Sequence, residues 1–215
     1  MKSSVSNVLI FILSLASAFP AGASDFYLTP GEIARIKRLW PDYAYAAKKV
    51  GLPVEILPAI HIRESNLMVV GKNIGGPFML DLGPRKGGPE FDRRIREYEK
   101  KIAALYEYPQ GARVDRQFRF AVLVAAHELN GKAKCWDVRG ECLIDAVWGY
   151  NGRAGWHRGY HRSSPYVWNN PKGGLTMMNH YRKKDGLRYT YKDLRPGVMP
   201  LYYEIKELVR NGQLP

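Results

Sequence analysis

Cysteine is nearly absent from these 215 residues; there are two, Cys135 and Cys142, too few for a Cys-rich zinc site. No apolar run reaches the roughly 20 residues that a membrane-spanning helix needs. The one that opens the chain, Val8 to Phe19, stops short of that length, and no later segment approaches it. Acidic residues are the minority charge, 20 against 33 Lys plus Arg, which leaves a formal charge of +13. There is no Gly-x-Ser-x-Gly elbow for a serine nucleophile and no His-Glu-x-x-His zinc motif. His157 and His161 stand four apart, but a glycine lies between them and the glutamate is missing. His61, His127 and His180 are scattered elsewhere. No metal and no cofactor are expected. Internal repeats and low-complexity stretches are also lacking.

What is present begins with a leader. Lys2, the apolar run and the Ala-x-Ala of Ala21-Gly22-Ala23 form the pattern of a secretory signal, so residues 1–23 are expected to be removed and Ser24 to start the mature chain. The expected location is periplasmic or secreted. Loss of Lys2 lowers the formal charge only to +12, and a field of that sign favours polyanions such as nucleic acid, anionic lipid or cell-wall polymer. Export argues against nucleic acid, for which no recognition motif appears. No stable membrane insertion is expected. An oxidising compartment would let Cys135 and Cys142 pair across the six-residue loop Trp136 to Glu141.

With 46% hydrophobic and 12% aromatic residues over its 215 positions, the chain can bury one core, and residues 24–215 are read as a single, monomeric, mainly α domain. Thr29-Pro30-Gly31-Glu32 has capping-box spacing and starts a helix that Pro41 should interrupt. Asp42 should then cap a second helix ending at Gly51. Leu52-Pro53-Val54-Glu55 opens a helix whose buried side is Ile56, Leu57, Ile60 and Leu67, with Pro58 kinking it or delaying its start. From Gly71 to Pro89 glycine and proline predict a loop or irregular sheet. Helices are then predicted at Phe91 to Tyr108, Asp115 to Gly131, Cys142 to Tyr150, Pro165 to Arg182 and Pro200 to Arg210. The second of these carries "FAVLVAAHEL", apolar on nearly every face, and should be the centre of the core. Tyr189, Tyr191, Tyr202 and Tyr203 are expected to pack the last helix.

Glu64 stands out chemically. It comes at the C-terminal end of a mostly buried helix, among Ile60, Ile62 and Leu67, where the negative helix end and an apolar site both disfavour ionisation. A carboxyl group kept protonated near neutral pH can act as a general acid, as glycosidic cleavage requires.

Read in order, "AAKKVGLPVEILPAIHIRESNL", "GGPFMLDLG" and "IDAVWGYNGR" resemble the lytic transglycosylase and goose-type lysozyme group of the lysozyme superfamily. Glu64-Ser65 corresponds to that group's Glu-Ser at a helix end. Gly76-Pro77-Phe78-Met79 partly corresponds to its Gly-Leu-Met-Gln-like loop. Ala146 to Gly152 corresponds to its Ala-x-x-Tyr-Asn-x-Gly helix end, with Trp148-Gly149 replacing two small residues. The resemblance covers Ala47 to Gly152, about half the chain.

It implies a lysozyme-like domain with a loop-built cleft for peptidoglycan glycan strands. One glutamate, Glu64, would serve first as acid and then as base. Tyr150 and Asn151 would position the sugar, although a tyrosine at a helix end also suits a core and an asparagine a C-cap. Ser65 can bond Glu64 or the sugar, or close the helix end; the resemblance points to the first. Met79 departs from the group's usual glutamine and puts the sugar contacts in doubt.

A two-carboxylate glycosidase needs a partner about 5 to 9.5 Å away. Asp81 is the candidate, with a turn aspartate bonding its own backbone as the alternative; Asp145 and Glu128 read as structural helix residues. In "SSPYVWNN", Tyr166 and Trp168 can wall the groove or pack beneath it. Water or the 6-hydroxyl of the sugar can attack, giving a lysozyme or a transglycosylase. The competing reading from another class is a non-catalytic wall-binding protein on the same fold; Met79 favours it and Glu64 opposes it.

Overall fold

The computed structural model describes residues 27–69, 76–80, 88–133, 135–151, 164–171, 176–182 and 187–215, with backbone alone for 176–182 and 187–193. The described chain is mainly α. Seven helices run in the order α1 (Pro30–Val50), α2 (Ile56–Ser65), α3 (Pro89–Leu105), α4 (Phe118–Lys132), α5 (Gly140–Tyr150), α6 (Pro165–Trp168) and α7 (Val198–Arg210). An antiparallel pair, β1 (Thr176–Arg182) and β2 (Leu187–Asp193), lies between α6 and α7. The expected leader lies outside the described residues. Among those described, no helix is long and apolar enough to cross a membrane.

The Thr29 capping box forms: Thr29 Oγ1 accepts from the Glu32 N–H at 3.3 Å, and Glu32 Oε2 accepts from the Thr29 N–H at 2.8 Å. Pro41 does not break α1, contrary to the expectation of two helices. An interior proline costs about 3 kcal/mol, but Ile36, Leu39 and Trp40 before it and Tyr43, Ala46 and Ala47 after it enter one core. Burial on both sides holds the helix through. Asp42 is not a cap; its Oδ1 accepts from Arg119 Nε at 2.5 Å.

In α2 the start is delayed to Ile56, which puts Pro58 in the first turn, where its missing N–H leaves no intrahelical bond unmade. Ile56 to Arg63 are all buried. The helix ends at Ser65 because Asn66 turns left-handed (φ 54°) and returns its N–H to His61 and Ile62.

The apolar α4 is the packing centre, touching α1, α2 and α5; its residues Phe120 to Ala126 and Leu129 are buried. The helix predicted over Pro165 to Arg182 is a correction: α6 stops at Trp168, and Thr176 to Arg182 is strand β1, paired Thr176 with Asp193 through Arg182 with Leu187. The β-branched and aromatic alternation of "LRYTYKD" supplies the partner strand. Tyr189 and Tyr191 therefore lie on β2, while Tyr202 is buried on α7 and Tyr203 is exposed. Cys135 and Cys142 form a disulfide leading into α5.

Candidate active site

Three helix ends and one turn meet at a single pocket of about 340 Å³. The last turn of α2 brings Glu64, and the Gly76 to Met79 turn brings Met79 and Leu80. The end of α5 adds Tyr150 and Asn151, and the end of α4 adds Glu128 and Lys132. Glu64, Met79, Tyr150 and Asn151 were each singled out by sequence, and they come together here. Asp81 lies outside the described residues.

Glu64 is held from behind. The Tyr166 phenol, 6% exposed, donates to Glu64 Oε1 at 2.5 Å. Burial raises the Glu64 carboxyl above its ordinary range; the Tyr166 hydrogen bond and the positive charges of Arg63 and Arg195 oppose that without cancelling it. Tyr166 itself stays protonated, pushed far up by burial and by the neighbouring Glu64. It is thus a partner of the carboxyl group beneath the pocket rather than part of its lining. Trp168 is half-buried against the core.

The two arginines lock this arrangement. The Arg63 guanidinium donates to the carbonyls of Arg195 (3.0 Å) and Pro196 (3.3 Å), and the Arg195 guanidinium donates back to the Arg63 carbonyl at 2.9 Å. Arg63 also lies 5.6 Å from the Tyr166 ring centre. Two residues on, the Gly197 N–H donates to the Asn169 carbonyl at 2.8 Å. A Cβ at Gly197 would stand 2.6 Å from backbone atoms of Val167 and Asn169, so only glycine lets the lead-in to α7 press against α6.

Ser65 closes the helix: its hydroxyl donates to the His61 carbonyl and accepts from the Met68 N–H, each at 3.3 Å. Behind it His61 is fully buried. Its Nε2–H donates to the Met68 carbonyl at 2.9 Å, which leaves Nδ1 to accept from the Tyr43 hydroxyl at 2.7 Å. The ring stacks on Phe78 at 4.7 Å, and burial lowers its pKa to about 4. His61 is a neutral strut under the Glu64 turn. His127 likewise bonds the Tyr106 hydroxyl at 2.7 Å. His157 and His161 lie outside the described residues.

On the open side, the Tyr150 hydroxyl donates to the Phe78 carbonyl at 3.1 Å and ties the end of α5 to the 76–80 turn. Burial, with Glu64 and Glu128 nearby, keeps that phenol protonated. Met79 is left-handed (φ 49°) and 45% exposed at the pocket. An L residue tolerates that conformation at a cost of roughly 1–2 kcal/mol.

Glu128, which reads from sequence as a structural helix residue, and Lys132 are the charged pocket residues that the motifs do not mark. Glu128 accepts a hydrogen bond from the Tyr98 hydroxyl of α3. The available signal is a charged pair, Glu128 and Lys132, four apart at the end of a helix whose middle, Phe120 to Ala126, is wholly apolar. No family model, curated protein or solved structure matches the chain.

Proposed function

We propose that this protein is a glycosidase of the lysozyme-like kind that cuts the β-1,4 bond between N-acetylmuramic acid and N-acetylglucosamine in peptidoglycan, with Glu64 as the proton donor. The observation that carries this reading is a carboxyl group held toward its acid form by burial, opening onto a pocket that Tyr150 and Asn151 also line. A pocket of this volume falls within the roughly 300–1,000 Å³ of ligand sites. In support of the reading, Glu64 and the Tyr150-Asn151 pair line one pocket although more than 80 positions separate them in sequence.

In this mechanism Glu64 passes its proton to the bridging oxygen as the bond to the sugar C1 breaks. Tyr166 fixes the orientation of the carboxyl group, and the Arg63–Arg195 exchange holds the turn that carries it. Asn151 offers an amide to the sugar, and the Tyr150 hydroxyl, whose proton goes to the Phe78 carbonyl, offers an acceptor oxygen. Met79 offers neither, so one polar contact available to a glutamine in that place is replaced by a thioether surface.

The enzyme would act outside the cytoplasm as a monomer on a single lysozyme-like domain, its positive charge drawing it to the anionic wall. Incubation of the purified protein with peptidoglycan sacculi should release soluble fragments. Intact sacculi after prolonged incubation would instead favour a non-catalytic wall binder.

A further inference from the structure

Two carboxylates, from different helices, open onto the same pocket. Glu64 comes from the end of α2 and Glu128 from the end of α4. Their surroundings differ in kind. Glu64 is backed by Tyr166 and two arginines in a buried setting, which favours a proton donor. Glu128 accepts a hydrogen bond from the Tyr98 hydroxyl, whose proton is held by burial and by Glu128 itself. Lys132, one helical turn on, brings an ammonium to the same space. Tyr150 feels the charge of both glutamates, which places its phenol in the neighbourhood of each.

Glu128 thus meets the Tyr98 phenol of α3 and lines the same pocket as Glu64. Two carboxyl groups in differing surroundings on one pocket are the arrangement that acid and base roles require.

We infer that Glu128 is a second catalytic carboxylate, the base that takes a proton from an attacking water. This rests on the glycosidase reading and decides between its two outcomes in favour of hydrolysis. Glu64 gives its proton to the bridging oxygen as the C1–O bond breaks. The water oxygen forms the new bond to C1 from the opposite face, and its proton passes to Glu128. Glu128 then returns a proton to solvent and Glu64 takes one up, which restores both. The product is a reducing sugar of inverted, α configuration, and no 1,6-anhydro ring forms.

The test uses the full protein on sacculi in water enriched in oxygen-18, with released fragments read by mass spectrometry and their anomers by NMR. Expected are products carrying one heavy oxygen, initially α. Glu128→Ala should lower turnover by about 100-fold or more with KM little changed. Sodium azide should restore release to that variant several-fold and yield an α-glycosyl azide, a rescue that a merely structural role would not produce. If Glu128→Ala does not fold, Glu128→Gln, nearly isosteric and still able to accept from Tyr98, should show the same loss. A 1,6-anhydro product from the parent protein, or Glu128 variants that hydrolyse at the parent rate, would overturn the role of Glu128 and leave the glycosidase reading standing. No cleavage by the parent protein would overturn both.

Discussion

Glu64 sits between opposing influences, and their balance sets its chemistry. Burial pushes it toward the acid form, while the Tyr166 hydroxyl and the arginine charges pull it toward the carboxylate. Removing the Tyr166 donor should therefore raise the Glu64 pKa further. In Tyr166→Phe the alkaline limb of the pH–rate profile should move to higher pH, while turnover falls roughly tenfold because the carboxyl group loses its orientation. A profile unchanged in position would detach Tyr166 from the acid. At this scale much of the site was legible. Glu64, Tyr150 and Asn151 stand out by residue type and motif order, and all three line the pocket. Glu128 was not legible, because a lone carboxylate on a helix looks the same in sequence whether it meets solvent or a pocket. Only the tertiary fold puts Tyr98 of α3 against it.

Elements are positioned here by close backbone approach and by short covalent ties. Gly197→Ala puts a methyl group 2.6 Å from the backbone of α6, so the contact must open. The expected loss is about 1–3 kcal/mol in denaturant unfolding, with activity falling further than stability because Tyr166 rides on α6. Wild-type activity in a folded Gly197→Ala protein would show that α6 does not set the acid. Replacing both cysteines by serine should cost about 2–3 kcal/mol by loop entropy and leave the cleavage rate unchanged at temperatures where the protein is folded. Helix limits set by local chemistry, such as the Thr29 box and the Asn66 stop, were readable or nearly so. Those set by tertiary packing were not. Pro41 is overruled by the core on both sides of it, and the apolar spacing after Pro165 suits a helix as well as a strand until β2 supplies the pairing.

For the whole molecule, the mainly α character follows from the long apolar periodicities, and α4 lies at the centre as its composition indicates. The pH response of stability is a property of the ensemble of buried groups. His61 has a folded pKa of about 4, below the unfolded value near 6.5. The unfolded chain thus binds the proton first. Stability is fully present above about pH 6.5 and is lost as pH falls toward 4, by on the order of 3 kcal/mol. The raised carboxyls of Glu64 and Glu99 work in the other direction, losing stability as pH rises through their folded values. Denaturation midpoints should therefore drop between pH 7 and pH 4.5. If His61 carries this dependence, His61→Phe should remove most of the fall, and a fall of the same size in that variant would contradict it. The net charge of +13 predicts binding to anionic wall that weakens steadily with added salt, since screening acts within about 8 Å at physiological ionic strength.

The protonation of Glu64 can be read directly. In protein labelled with carbon-13 at the glutamate carboxyls, the Glu64 resonance is assigned by its disappearance in Glu64→Gln and followed with pH. It should titrate clearly above the ordinary glutamate value, and Glu64→Gln should release no fragments from sacculi while melting like the parent protein. A Glu64 carboxyl that titrates at or below the ordinary value, or a Glu64→Gln protein that still cleaves, would contradict the account.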